Sequence, residues 1–216
     1  MMPSIETDSL IQNLAREAGP RHGLGRGGFG RLFAVTLALS LAASIGMVLF
    51  WIGVRPGLGQ LVQGTPFLFK LACTLSLVAA GIVLARRAAV PGGAAPTVLA
   101  LVPSALLLVI GGLTDSSGLS IMGRNSGVSA AYCVGAILLA SMPALLLILG
   151  VLRTGAPTRP GLAGAIAGLL AGALGATAYT MACVNDGRMF VAIWYPVAIL
   201  IAAGAGAAIG RRALAW

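Results

Sequence analysis

The chain has 216 residues, 58% of them hydrophobic and only 9% charged, where an ordinary soluble domain carries about a quarter charged. That balance excludes a water-soluble globular domain, and the 31 glycines suit helices packed closely in lipid. The net charge of +9 sits on single and paired arginines at the ends of apolar runs, which is how topology signals and headgroup contacts are distributed; direct nucleic-acid binding is not expected.

Residues 1–31 form a polar leader. Ser4, Thr7, Asp8 and Ser9 offer capping oxygens, and Glu6 and Asp8 suit the positive end of a helix. Leu10, Ile11, Leu14, Ala15 and Ala18 then recur on one face, with Gln12, Asn13, Arg16 and Glu17 largely on the other, so the spacing predicts a short amphipathic helix over about 8–18. Gly19-Pro20 stops it, and the basic, Gly-rich stretch from Arg21 to Arg31 reads as a flexible tether. A helix this short is marginal alone. Its apolar face therefore needs a partner: the membrane surface, the protein's own bundle or a groove on a cytoplasmic protein, with the mixed charge of its polar face weakening the lipid option. No small-residue cleavage site follows the first apolar run, so a removable signal peptide is not expected.

Six apolar runs follow, and a bilayer core takes roughly 20 such residues per helix. They lie at 32–52, 66–85, 95–114, 127–149, 162–183 and 189–209, leaving 211–216 as a tail. The expected architecture is all-α, a 32–210 bundle of six transmembrane helices behind the leader. Lys70 is charged but lies near the end of the second run, where its stem can snorkel to the headgroups. Pro103, Pro143 and Pro196 fall inside runs and predict kinks. In the fifth run Gly164, Gly168 and Gly172 recur every four residues, and Gly206 and Gly210 repeat the spacing in the sixth. Such a stripe lets helix backbones touch, within the bundle more readily than across a dimer.

Arg16, Arg21, Arg26, Arg31, Arg86, Arg87, Arg153, Arg159, Arg211 and Arg212 fall on one side of this arrangement, against Arg55, Lys70, Arg124 and Arg188 on the other. The excess places both termini on the cytoplasmic side of the membrane. Trp51, Tyr132, Trp194 and Trp216 sit near run ends, at headgroup level.

The runs hold almost no ionisable groups, whereas enzymes and ion-coupled carriers keep such groups inside their spans. His22 is a lone leader histidine with no companion for a metal, and no paired carboxylates, phosphate loop, nucleophile elbow or Cys-x-x-Cys is present. No catalytic residue, metal or cofactor is expected. Cys73, in mid-run, reads as packing. Cys133 enters the fourth run from outside, roughly 10 Å below its outer end at about 1.5 Å per residue, and Cys183 closes the fifth on the same side. Adjacent antiparallel helices would let these thiols meet, allowing a disulfide or a shared soft-metal contact in an oxidising periplasm; two unrelated small apolar residues fit the spacing equally.

Four stretches together resemble one family. They are Thr7-Asp8-Ser9-Leu10-Ile11 with Leu14-Ala15 and Ala18-Gly19-Pro20; Gly53-Val54-Arg55-Pro56 with Phe67 to Lys70; Arg153 to Pro160 with Leu162-Ala163-Gly164; and Cys183 with Phe190 to Tyr195 and Gly210-Arg211-Arg212. In that order, along the whole length, they resemble the NrsF-type anti-sigma factors, six-span negative regulators of sigma-F and related extracytoplasmic-function sigma factors. The resemblance implies that the chain holds such a sigma factor at the inner membrane and releases it on stress. It further implies that the leader, through Leu10, Ile11, Leu14, Ala15 and Ala18, contacts the sigma factor, and that Cys133 and Cys183 match a periplasm-facing pair linked to sensing chromate, cadmium or oxidative conditions.

Two rivals come from other classes. A small carrier or channel would need a polar path, for which Thr74, Ser76, Ser104, Ser141, Thr177 and Thr180 are the candidates. A quinone-linked thiol redox protein would use Cys133 and Cys183 with turnover, against which the lack of a vicinal pair counts.

Overall fold

A computed structural model of the chain describes residues 4–17, 26–57, 59, 64–88, 98–123, 128–155, 157 and 159–214. Every regular element among them is helical: α1 Ser4–Glu17, α2 Arg26–Trp51, α3 Thr65–Ala88, α4 Val102–Leu113 entered through a 3-10 turn at Val98–Leu101, α5 Ala130–Leu152, α6 Pro160–Tyr179 and α7 Arg188–Ala213. Five of these, α2, α3, α5, α6 and α7, are long and apolar enough to cross a membrane. The apolar helix at Val98–Leu113 is shorter, below the roughly 17 residues that a straight span needs.

The bundle is built around α6, which packs on α2, α3, α5 and α7. Within its apolar window 78% of residues are buried, against 28% to 50% in the other four long helices. Small side chains make this possible, because an Ala- and Gly-rich rod can be approached by backbones from several directions. The outer helices turn large apolar residues away from the bundle, with Leu39, Leu106, Leu146 and Leu200 all more than half exposed. Water penalises such a surface and hydrocarbon does not, so this is a membrane protein.

The two ends of the bundle differ. At one, Phe33, Leu84, Leu149, Leu152, Ala163 and Leu214 form an apolar core, and the exposed Arg31, Arg86, Arg87, Arg153, Arg159, Arg211 and Arg212 lie near it. At the other, Cys73, Cys133, Cys183, Phe190 and Tyr195 form a second core, with Arg55, Lys70, Asp186 and Asp115 around it.

Several element ends depart from the sequence expectation. The tether expected at Arg21–Arg31 is helical from Arg26 onward. Phe29 stacks on buried Phe33 with ring centroids 6.1 Å apart, and that packing outweighs the poor helix propensity of the intervening glycines. Pro103 lies in the first turn of α4 and not mid-helix, a position where its missing N–H costs nothing. The run expected to extend to Cys183 leaves the helix after Tyr179, where Met181 O accepts from the backbone N–H of Arg55 and Cys183 O from the Lys70 and Arg55 side chains. At the far end α7 continues through Ala213, into the stretch expected as a tail.

The glycine stripe is used inside the chain, between α6 and α7. A Cβ at Gly164 would fall on the carbonyl of Gly206, one at Gly168 on that of Ala202, and one at Gly206 on that of Gly164. Gly172 is slightly looser, with its missing Cβ 3.1 Å from the Ala202 methyl. We expect Gly164→Ala to force α6 and α7 apart and cost about 1–3 kcal/mol, lowering the melting temperature of the full-length protein in detergent. Gly204→Ala, on α7 but facing open space, should leave that temperature unchanged. Equal melting of the two variants would contradict the close helix contact.

Candidate functional site

The second core is assembled from three directions. Ser129 caps α5, its hydroxyl accepting from Tyr132 N at 3.2 Å, and Cys133 follows in the first turn with its N–H on Ser129 O. Because α5 starts at Ala130 and not at Gly127, Cys133 lies nearer the helix end than its run suggested. On the antiparallel neighbour α6, the chain passes Tyr179 and curls through a turn in which Cys183 N donates to Tyr179 O at 3.0 Å. This places Cys133 and Cys183 as neighbours in one buried core. Both are free and fully buried. The Cys183 S–H is directed at Asn185 O, 3.7 Å away. Cys73 is buried in the same apolar core.

Two tyrosines flank the pair. Tyr179 lies beside Cys133 and Tyr195 beside Cys183, with ring centroids 6.5 Å apart and planes tilted by 44°. Tyr195 Oη and Asn185 Nδ2 are buried and find no oxygen or nitrogen partner among the described residues. Burying such groups without partners is costly, so the pocket around the thiols is polar yet incompletely satisfied.

Above the thiols lies an ion clasp. Lys70 Nζ donates to Asp186 Oδ1 at 2.8 Å and to Cys183 O at 3.3 Å. Arg55 Nη1 donates to the same Asp186 oxygen at 2.9 Å and to Cys183 O at 3.1 Å, while Nη2 reaches Asp186 Oδ2 at 3.1 Å. Lys70 therefore does not snorkel to headgroups. Its side chain is wholly buried, drawn inward by a carboxylate that a buried ammonium requires. Burial alone would raise the Asp186 carboxyl, but the hydrogen bonds from Arg55 and Lys70 outweigh it and hold the group below the usual carboxylate range. The hydrogen bond to Asp186, ahead of the opposing effect of burial, raises the Arg55 guanidinium in turn.

A neighbouring carboxylate anchors the loop before α5. Asp115 Oδ2 accepts the first-turn amide of α7, Met189 N, at 2.8 Å, and Oδ1 accepts from Ser117 N at 2.9 Å. An anion at a helix start is favoured by the helix dipole. Trp194 Nε1 pins the same loop by donating to Ile121 O at 2.8 Å.

The remaining sequence candidates fall elsewhere. Leu10, Ile11 and Leu14 project from α1 and are each more than half exposed. Ala15 lies in α1, and Ala18 falls outside the described residues. The six hydroxyls considered for a polar path all turn back on their own helices: Thr74 to Leu71 O, Ser76 to Cys73 O, Ser104 to Leu101 O, Ser141 to Leu138 O, Thr177 to Ala173 O and Thr180 to Thr177 O. Each thus spends its one donor within its own helix. Among the described residues no cluster of three or more His, Cys, Asp or Glu could hold a metal ion.

The clasp and the two tyrosines are the site residues that sequence reasoning missed. One signal was available: of five acidic residues three lie in the leader, and the other two, Asp115 and Asp186, both lie on the arginine-poor side beside Arg55 and Lys70.

Comparison with known proteins gives consistent results. The family described as NrsF, Negative regulator of sigma F, matches residues 14–216. The Anti-sigma-F factor NrsF of Caulobacter vibrioides is 34% identical over 220 residues, covering 98% of this chain and 100% of that protein. The Probable anti-sigma-F factor NrsF of Azospira oryzae is 29% identical with the same coverage. No solved structure gives a significant match.

The clasp predicts an asymmetric mutational response. Asp186→Ala leaves a buried ammonium and a nearly buried guanidinium without their anion and should cost about 3 kcal/mol, whereas Lys70→Met leaves Asp186 paired with Arg55 and should cost clearly less. A depressed carboxyl adds stability that is complete above its unfolded value near pH 4 and is lost as pH falls through the folded value. Melting temperature measured against pH should therefore drop on acidification in the parent and flatten in Asp186→Asn. A parental acid limb in that variant would remove Asp186 from the account.

Proposed function

The chain belongs to the NrsF family of negative regulators of sigma F, and on that premise we propose that it is a membrane-bound anti-sigma factor whose hold on its partner is set by the Cys133–Cys183 pair. The partner is a cytoplasmic sigma factor of the extracytoplasmic-function type. The arginine-rich end of the bundle faces the cytoplasm of a bacterial inner membrane, following the excess of Arg on that side. Both termini then lie inside, the helix at Val98–Leu113 completes a sixth crossing with its flanking residues, and the thiol end faces the periplasm.

The leader supplies the grip. Leu10, Ile11, Leu14, Ala15 and Ala18 form the apolar face that enters a groove on the sigma factor and keeps it from polymerase. Support comes from the exposure of Leu10, Ile11 and Leu14 on a helix too short to hold its shape alone. Partner binding gives that face the cover it lacks.

The observation that supports the sensing half is the burial of two free thiols, Cys133 and Cys183, in one core. Neighbouring thiols can close to a disulfide under a two-electron oxidant or share a soft metal, and either event draws α5 and the turn after α6 together. Coupling that changes sigma occupancy a hundredfold needs about 3 kcal/mol, within the ordinary allosteric range. The partner and the regulatory role fit a non-enzymatic protein, in keeping with the family description.

Deleting residues 1–20 should release the sigma factor from the membrane fraction without stress, read by fractionation and by sigma-dependent transcription. Retention by the truncated protein would remove the leader from the interface. Cys133→Ser and Cys183→Ser, singly or together, should abolish induction by thiol reagents while leaving basal retention within about twofold. A parental response in the double variant would end the sensor reading, and a periplasmic reporter signal from a fusion after Trp216 would end the cytoplasmic one.

A further inference from the structure

Arg55 ties the turn that carries Cys183 to the end of α2. Four residues beyond Trp51, its backbone N–H donates to Met181 O at 3.2 Å, its Nη1 donates to Cys183 O at 3.1 Å, and its guanidinium holds Asp186 by two bonds. Any displacement of the turn at 180–187 must either carry the end of α2 with it or break this set of contacts. The guanidinium side chain is only 9% exposed, so water offers little substitute for them.

Helix α2 is also the long helix least held by its neighbours, with 28% of its apolar window buried. Its inward stripe reads Thr36, Ser40, Ser44, Val48, one residue per turn, against α5 and α6. Thr36 satisfies its hydroxyl on Leu32 O at 2.9 Å. The hydroxyls of Ser40 and Ser44, both fully buried, find no partner among the described residues. A seam containing unmet polar groups gives up less on opening than an apolar, interlocked one such as α6–α7. In sequence, α2 is the helix that follows the leader.

We propose that Arg55 is the positioning residue through which the state of the Cys133–Cys183 pair is passed to α2, and along α2 to the leader. This rests on the thiol-pair reading above. When the pair closes under a diazene oxidant such as diamide, two S–H bonds break and one S–S bond forms. The N=N group takes up the two electrons and two protons to become the hydrazine. The two sulfurs pass from neighbours in one core to a covalent bond, and the Cys183 carbonyl and Asp186 move with them. Arg55, holding both, moves the end of α2 along its weak seam.

The test uses the full-length protein in lipid nanodiscs, with intact mass reporting disulfide closure and hydrogen exchange reporting the last turns of α2, residues 40–52. In the parent, closure should speed exchange there at least threefold. In Arg55→Met the disulfide should still form, with Lys70 retaining Asp186 and the Cys183 carbonyl, but the acceleration should disappear. If Arg55→Met does not fold, Arg55→Lys serves, since an ammonium cannot reproduce the forked contact and should give a smaller acceleration than the parent. Unchanged exchange in the parent after closure, or parental acceleration in whichever Arg55 variant is read, overturns the proposal. Acceleration in α2 without any change in sigma retention would sink the regulatory reading and leave this link standing. Sigma release with α2 unchanged would sink the link alone.

Discussion

A single carboxylate organises the thiol end of the bundle. Lys70 has no exposed surface, and an ammonium in that position is tolerable only with an anion against it. Asp186 supplies the anion and takes Arg55 as a second cation. The two cations do not stop at the carboxylate: each also donates to the carbonyl of Cys183. The electrostatic demand of one buried lysine thus fixes the backbone that carries one of the two thiols. Any change at Cys183 acts on a turn already held from α3 and from the segment after α2.

The bundle is uneven in how firmly it is held. The α6–α7 pair is a backbone-to-backbone contact with no room for a methyl group at Gly164, Gly168 or Gly206, and it has few ways to shift. The α2 seam is lined by small hydroxyl residues, two of them unpartnered, and most of α2 faces outward. The proposed link between the thiol end and the leader needs one element that moves against one that does not. The packing supplies that contrast. The family's regulatory description and the proposed sigma contact are compatible with it.

Much of this was legible in the sequence because it is periodic or asymmetric. Apolar runs of spanning length and a one-sided arginine distribution need no knowledge of contacts, and the Gly164, Gly168, Gly172 spacing announces a close approach whichever helix answers it. The meeting of Cys133 and Cys183 followed from the antiparallel order of two neighbouring runs, although their residue types alone left an unrelated pair equally open. The clasp was not legible, since Arg55 and Asp186 are 131 positions apart and Lys70 and Asp186 are 116 apart; with no partner in view, Lys70 reads as a residue that escapes to the headgroups. Gly-rich composition likewise suggested a tether at 26–31, because the stacking of Phe29 on Phe33 is a tertiary fact that local propensity does not contain.

The central position of α6 also bears on what holds it in the bilayer. Its mean hydropathy is 1.6, lowest of the five long helices, where the others range from 1.9 to 2.5. Its apolarity comes largely from alanine and glycine, which partition into hydrocarbon only weakly compared with leucine or isoleucine. Lipid alone therefore rewards its burial least, and the close backbone contact with α7, eight residues further along the chain, supplies what hydrocarbon does not.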